Sequence, residues 1–502
     1  MSRPVLVALS PSGEAQLVTT LLPSTRVEVV RRCVDVPDLL GAAAAGLGRA
    51  ALVSADMPGL DRSGVTDLLA RGVAVVGVAA AGNEEQERFL RQIGVDVVVG
   101  SDADVTQLEG AVESARASLA RRRPPLSGGP AVVPDLALSA APVVPNHLGD
   151  LLAAGLGNDA ATGPHPVANS DGSAEWDRVE SGSSDDGGPA LGRIVAVWGP
   201  TGAPGRTTLA VNLAAECAEL GIDTLLVDAD PYGGVVAAAL ALVDEGAGLA
   251  AAVRASEQGL LDAPALSALT PRVCPGLRVL TGLPRADRWI ELRSAGVGHV
   301  LGVARLIASL VVVDCGFSLE DDEELSYDTA APRRNAATLA ALEAADDIVV
   351  VGAGDPIGLQ RLVRGLQELD AHRAPGTRHV VVNKIRAGAV GPSPQDRIQA
   401  ALTRFAGVPA CHLIPDDRPA LDAVTLAGRT LTEAARTSPA RLAIRGLAEQ
   451  LAEQLAAAHV RDTAGTGGSS AVVDRLRRPR SDGSRSVGRR WRRRGAATHR
   501  RG

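Results

Sequence analysis

Between residues 194 and 414 the chain repeats one unit, a short and largely apolar run followed by a stretch of helical period. The runs lie at 194–198, 223–228, 277–281, 310–314, 347–352, 378–383 and 409–414. Their apolar character is continuous instead of alternating, as in strands buried on both faces of a sheet. Strands that alternate with helices in this way fold as an open, doubly wound, mostly parallel α/β sheet. A smaller set precedes it, with runs at 5–9, 26–30, 50–53, 72–78 and 95–99. Helical patterns separate these runs around Val36–Ala45, Gly64–Ala70, Glu84–Gln92 and Val105–Ala120. That spacing predicts a second α/β domain on a five-stranded parallel sheet.

The two patterns divide the 502 residues into a small domain at 1–123, a linker at 124–192, a main domain at 193–460 and a tail at 461–502. From Pro124 to Ala190 one Arg faces nine Asp and Glu, and neither the strand nor the helix period is sustained. This acidic Gly/Pro/Ala segment is expected to be disordered. From Arg461 onward thirteen Arg face three Asp. The formal charge of −7 therefore hides an acidic tether and a basic, disordered tail. The stretch 439–460 begins with Pro439 and carries Leu442, Leu447, Leu451 and Leu455, which predicts a closing helix docked through one broad leucine stripe.

Composition excludes several classes. Cys33, Cys217, Cys274, Cys315 and Cys411 lie far apart, without a CxxC pair or a histidine at finger spacing. That argues against a zinc site or disulfide framework and fits a reducing, cytoplasmic setting. No secretory apolar core opens the chain, and the run at 235–243 is too short to span a bilayer. Aromatic residues make up 2 %, too few for a base-stacking platform.

The stretch "VAVWGPTGAPGRTTLAVNLAAE" at 195–216 orders a strand, a glycine–proline turn and a helix. Small residues in such a turn let backbone N–H groups converge on phosphate oxygens, and the helix start adds its own free donors. The basic Arg206 can reach outer phosphates, and the Thr207 hydroxyl can complete a magnesium shell. The frame departs from the usual one, with Pro200 in place of the first glycine and Arg206 in place of lysine. Asp228 and Asp230 end one buried run and Asp314 another, where ligands of open α/β sheets sit. Asp314 is suited to hold magnesium or its water, and Asp230 or Asp228 to position an attacking water.

These motifs, with "LLVDAD", "VVVDCG", "VVVNKI" and "IPDD", resemble the MinD/ParA division of P-loop ATPases over roughly residues 193–435. The resemblance implies ATP and magnesium as cofactors, a nucleotide-dependent homodimer, and Mg-dependent ATPase activity on a degenerate Walker A motif. It places Gly202, Gly205, Arg206, Thr207 and Thr208 around phosphate, Thr207 and Asp314 at magnesium, and Asp228 and Asp230 in water-orienting positions. Asn383 takes the place of the adenine-reading Asn, and Pro415 and Asp416 lie in the loop flanking the base. The lysine that in this family reaches across the dimer falls at Thr201, so another residue, such as Arg333 or Arg334, must supply any such contact.

The N-terminal domain resembles a response-regulator receiver, of flavodoxin-like fold, without its chemistry. Ser54 stands at the phospho-acceptor position, Ser10 and Pro11 replace metal-binding acids, and Gly100 and Ser101 follow the fifth strand where receivers carry Lys-Pro. A pseudo-receiver of this kind is expected to bind a protein partner through 1–123. A receiver-like domain ahead of a MinD-like ATPase is similar to the CpaE/TadZ pilus-assembly and septum-site-determining proteins. This implies positioning of a cell-envelope machine; the alternatives are a non-hydrolysing nucleotide-binding scaffold and a DNA-partitioning ATPase. The tail's Trp491 within five arginines fits an anionic membrane surface, which would place the protein peripherally at the inner face of the membrane. Arginine clusters also fit non-specific DNA.

Overall fold

The computed structural model describes residues 3–9, 17–122, 191–242, 246–321 and 332–464, with side chains as far as residue 457. The expected linker up to Ala190, the tail beyond Ala464, and Ser10 and Pro11 lie outside the described residues.

The N-terminal body carries β1 (Arg3–Ala8), β2 (Val27–Arg32), β3 (Ala50–Ser54), β4 (Ala74–Ala79) and β5 (Val97–Gly100). They form a parallel sheet in the order β2-β1-β3-β4-β5, the flavodoxin-like order. Helices α1 (Val36–Ala44), α2 (Arg62–Ala70), α3 (Glu84–Gln92) and α4 (Val105–Arg122) cover it. Three of them start where a short side chain accepts from the first turn: Asp35 from Asp38, Asp61 from Gly64 and Asn83 from Gln86. Every residue of β3 and β4 is buried, which is why those runs read as unbroken apolar stretches.

The second body is an eight-stranded sheet in the order β13-β12-β11-β6-β10-β7-β9-β8. Its strands are β6 (Arg193–Trp198), β7 (Thr224–Ala229), β8 (Arg272–Cys274), β9 (Leu277–Leu280), β10 (Leu310–Cys315), β11 (Asp347–Ala353), β12 (Thr377–Ile385) and β13 (His412–Pro415). Among the described residues only the β8–β9 pairing is antiparallel. Strand β6 lies between β10 and β11, so the strand order turns around it, and a crevice opens beyond its carboxyl end.

The helices that matter for this crevice are α5 (Arg206–Glu219), α6 (Gly248–Glu257), α7 (Ser294–Ile307), α8 (Ala336–Ala344) and α9 (Pro356–Ala371). Further on come α10 (Pro394–Ala406), α11 (Arg418–Ala427) and α12 (Pro439–Ala464). On α12 the leucine stripe needs correction, because Leu442 is 55 % exposed. Ala440, Ile444, Leu447, Ala448, Leu451 and Leu455 form the buried face, together with Arg441. At 100° per residue Leu442 lies far round the helix from Leu447, whereas 444, 448, 451 and 455 recur at three and four. Arg441 reaches Glu216 on α5, with Nε to Oε1 at 2.7 Å, and both side chains are buried. The Asn212 side-chain Oδ1 accepts from Leu431 N at 2.8 Å and ties the middle of α5.

The two bodies touch through α2. Ser63 donates from its backbone and hydroxyl to Glu257 at 2.9 and 2.8 Å, and Asp61 pairs with Arg293 at 3.2 Å. Among the described residues no helix is long and apolar enough to cross a membrane.

Candidate functional site at the carboxyl end of strand β6

The turn from β6 to α5 has the backbone that its glycines predict. Gly202 and Gly205 sit at φ +76° and +88°, a left-handed region that other residues rarely adopt. Gly205 also lacks room for a side chain, since a β-carbon there would collide with the Asn383 amide. The Asn383 amide donates to Pro204 O at 3.0 Å, and its Oδ1 accepts from Lys384 N at 2.9 Å. Asn383 is thus a brace under the loop as well as the residue at the expected adenine-reading position.

Arg206, at the first turn of α5, folds back over its own loop. Its Nη1 lies 3.4 Å from Gly199 O and 3.5 Å from Ala203 O, and its Nη2 is 3.8 Å from Asp230 Oδ2. These are long contacts, and Nε has no partner. The guanidinium stands 6.0 Å above the Phe317 ring, beside which Tyr232 packs at 4.7 Å between ring centres.

Asp314 faces this loop from the neighbouring strand. Register places it level with Asp228 of β7 on one side and Val197 of β6 on the other, one inter-strand spacing away from each. It is 1 % exposed, and neither carboxylate oxygen meets a donor in hydrogen-bonding geometry. Thr207 is the nearby hydroxyl that favours ionisation. Burial and then Asp228 nevertheless hold the Asp314 carboxyl well above the usual carboxylate range, with Asp230 adding to them and Arg206 opposing.

The two other carboxylates are placed differently. Asp228 Oδ2 accepts from Val236 N at 3.1 Å and Oδ1 from Asp230 N at 3.3 Å, and Gly234 and Gly282 close around it. Burial pushes its carboxyl up to about 7 in spite of these bonds. Asp230 Oδ1 accepts from Tyr232 N at 2.8 Å, and Oδ2 faces Arg206. The structure therefore brings Gly202, Gly205, Arg206, Thr207, Asp228, Asp230, Asp314 and Asn383 to one end of the sheet. Thr208 follows in the first turn of α5, where its carbonyl accepts from Asn212.

Pro415 ends β13, and Asp416 follows with Oδ2 3.2 Å from Arg418 Nε and Oδ1 buried without a partner. Arg333 pairs with Asp321 at 2.5 Å, and Arg334 stacks 4.3 Å over Tyr232. Sequence reasoning missed the aromatic pair Tyr232–Phe317, whose rarity in this chain was the available signal, and Arg361, which overlies Gly202. In the N-terminal body Ser54, at the acceptor position, is buried.

The donor set fits a magnesium nucleotide. Orphaned, buried carboxylate oxygens beside a threonine at a helix start suit a hard cation that takes its other ligands from phosphate and water. Among the described residues no cluster of three or more His, Cys, Asp or Glu could hold a metal alone.

Three solved structures are similar to about half of this chain. The cell division ATPase MinD of Pyrococcus furiosus is 18 % identical, with TM-score 0.43, over 53 % of this chain and all of that one. The septum site-determining MinD of Pyrococcus horikoshii, complexed with Mg-ADP, is 17 % identical with TM-score 0.42, over 52 % and 96 %. A ParA family ATPase of Chlorobium tepidum is 20 % identical with TM-score 0.43, over 51 % and 98 %. No curated protein matches the chain in sequence. The family profile that matches does so over the phosphate loop, the carboxylate strands and Asn383 together: residues 195–425 match the CobQ/CobB/MinD/ParA nucleotide binding domain.

Proposed function

We propose that this domain binds ATP with magnesium and serves as a nucleotide-dependent dimerisation switch. The observation that carries this reading is Asp314, an unpartnered buried carboxylate aimed at a glycine turn and a threonine hydroxyl. Gly202, Gly205 and the start of α5 would cradle phosphate, Arg206 would counter its charge, and Thr207 with Asp314 would hold magnesium. Asn383, Pro415 and Asp416 would border the base. Magnesium supplies neutralisation of charge developing on the outer phosphate oxygens. Asp230, with one oxygen directed at Arg206, is the better placed carboxylate to orient a water, because both oxygens of Asp228 are committed to backbone donors.

The assembled chain reads as a locator for a cell-envelope machine, as the CpaE/TadZ-like domain order implies. The N-terminal body would engage a protein partner, and 461–502 would engage an anionic surface. A non-hydrolysing scaffold is the second reading, favoured by the uncharged Thr201 and the backward-folded Arg206. Nucleotide titration with and without magnesium tests the site: wild type gains ATP affinity with the ion, and Asp314→Ala loses that gain. Equal affinities in all four measurements would end the assignment. Phosphate release then separates the readings, with Asp230→Asn slowing turnover roughly 100-fold while ATP affinity changes little; wild type without turnover makes the chain a scaffold.

A further inference from the structure

We propose that Arg361 is a phosphate-contacting residue of this site, supplied in cis from α9 to the outer lip of the loop. The inference rests on the nucleotide reading above and adds a residue that the loop's own sequence does not contain. The loop is short of positive charge. Thr201 carries none, and the Arg206 guanidinium is turned back toward Gly199, Ala203 and Asp230 at long range.

Helix α9 is fixed against the loop by packing. Asp355 caps it by accepting from Gly358 N at 2.9 Å, and Leu359, Leu362, Val363, Leu366 and Leu369 bury its inner face. Gly365 lies against Pro200, so close that a β-carbon would stand 2.9 Å from the ring. One turn earlier, Arg361 is thereby carried to the loop. A β-carbon at Gly202 would collide with its Nη1 and stand 3.0 Å from its Cζ. Glycine at 202 thus serves two ends, the left-handed backbone and the seat of a guanidinium. Arg361 is exposed and has no hydrogen-bond or ion-pair partner among the described residues.

Beside it opens a cleft of about 450 Å³ lined by Pro200, Thr201, Tyr232, Phe317 and Arg364, with Glu320 and Glu368 as its acids. Donors nearest a helix start take the inner phosphates of a bound nucleotide. The opposite lip, Thr201–Gly202, therefore meets the outermost phosphate. A planar guanidinium there bonds two phosphate oxygens at once and adds charge where phosphoryl transfer develops it.

The experiment compares affinities of the full chain for Mg-ATP, as a non-hydrolysable analogue, and for Mg-ADP, with melting temperature as the folding control. Arg361→Ala should weaken the triphosphate about tenfold or more and the diphosphate less than about twofold. Arg361→Lys should recover part of the difference, since it restores charge without the fork. Unchanged affinity for both nucleotides overturns the proposal, and so does an equal loss for both, which would make Arg361 a support of the loop. If wild type binds neither nucleotide, the reading of the site itself falls, and this inference with it.

Discussion

Asp314 is held in a setting that opposes its own charge, and this has a measurable price in the free protein. An acid whose folded-state pKa is raised favours folding in its protonated form. Its contribution is complete below the ordinary carboxylate range and is lost as pH rises toward the folded value, because the native state then binds more protons than the unfolded one. Asp314 is raised well above that range, and the adjacent Asp228 to about 7. Asp314→Asn, equal in size and without charge, should therefore stabilise the ligand-free protein at pH 8 by roughly 1–3 kcal/mol. The gain should shrink toward pH 5, as seen by urea unfolding at both values. A variant no more stable at pH 8 than wild type would remove the argument. The sequence displayed Asp314 because it ends an apolar run, and displayed the loop because glycines mark it. It hid Arg361, since fifty arginines against one lysine make any single arginine uninformative. It also hid the split between Asp228 and Asp230, because only the fold shows that Val236 N and Asp230 N take both oxygens of Asp228.

Elements were legible where periodicity was strong. The expected helix Glu84–Gln92 coincides with α3, and the expected strand 310–314 differs from β10 by one residue. Strand β8 was not foreseen, because three residues paired antiparallel at a sheet edge leave no period to read. The Arg441–Glu216 pair between α12 and α5 also escaped, as two charges 225 positions apart carry no local signature. Burial outweighs the arginine, so the Glu216 carboxyl remains above its ordinary range. The pair is thus a specificity device more than a source of stability. Arg441→Ala, which strands Glu216, should lower unfolding free energy by about 3–5 kcal/mol, while an Arg441→Met, Glu216→Leu double variant should recover most of it. Denaturant titration of the three proteins decides this, and a double variant as unstable as the single one would contradict it.

At the scale of the molecule, the two-sheet plan followed from two sets of apolar runs. The contact of Ser63 with Glu257 did not, since a contact between residues 194 positions apart has no sequence period. The segment 461–502 holds thirteen arginines and is the part whose proposed role is purely electrostatic. Its deletion should abolish co-sedimentation with phosphatidylserine vesicles, and binding by the intact chain should fall steeply as salt rises through about 0.15 M. Duplex DNA bound where vesicles are not would favour the partitioning alternative instead.

Ten consecutive residues of α5, Leu209 to Ala218, are buried, and the helix is fastened at its middle by Asn212 to Leu431 and in its last turn by Glu216 to Arg441. Such a helix is an anvil and cannot act as a piston: any stroke along its axis would tear packed surface on every side. Trp198, at the foot of the loop, donates its indole N–H to Phe317 O at 3.2 Å, and Tyr232 links onward to Asn335 at 2.8 Å. Those bonds meet Phe317 just after β10 and Asn335 just before α8, so the floor of the loop is tied to both neighbouring elements.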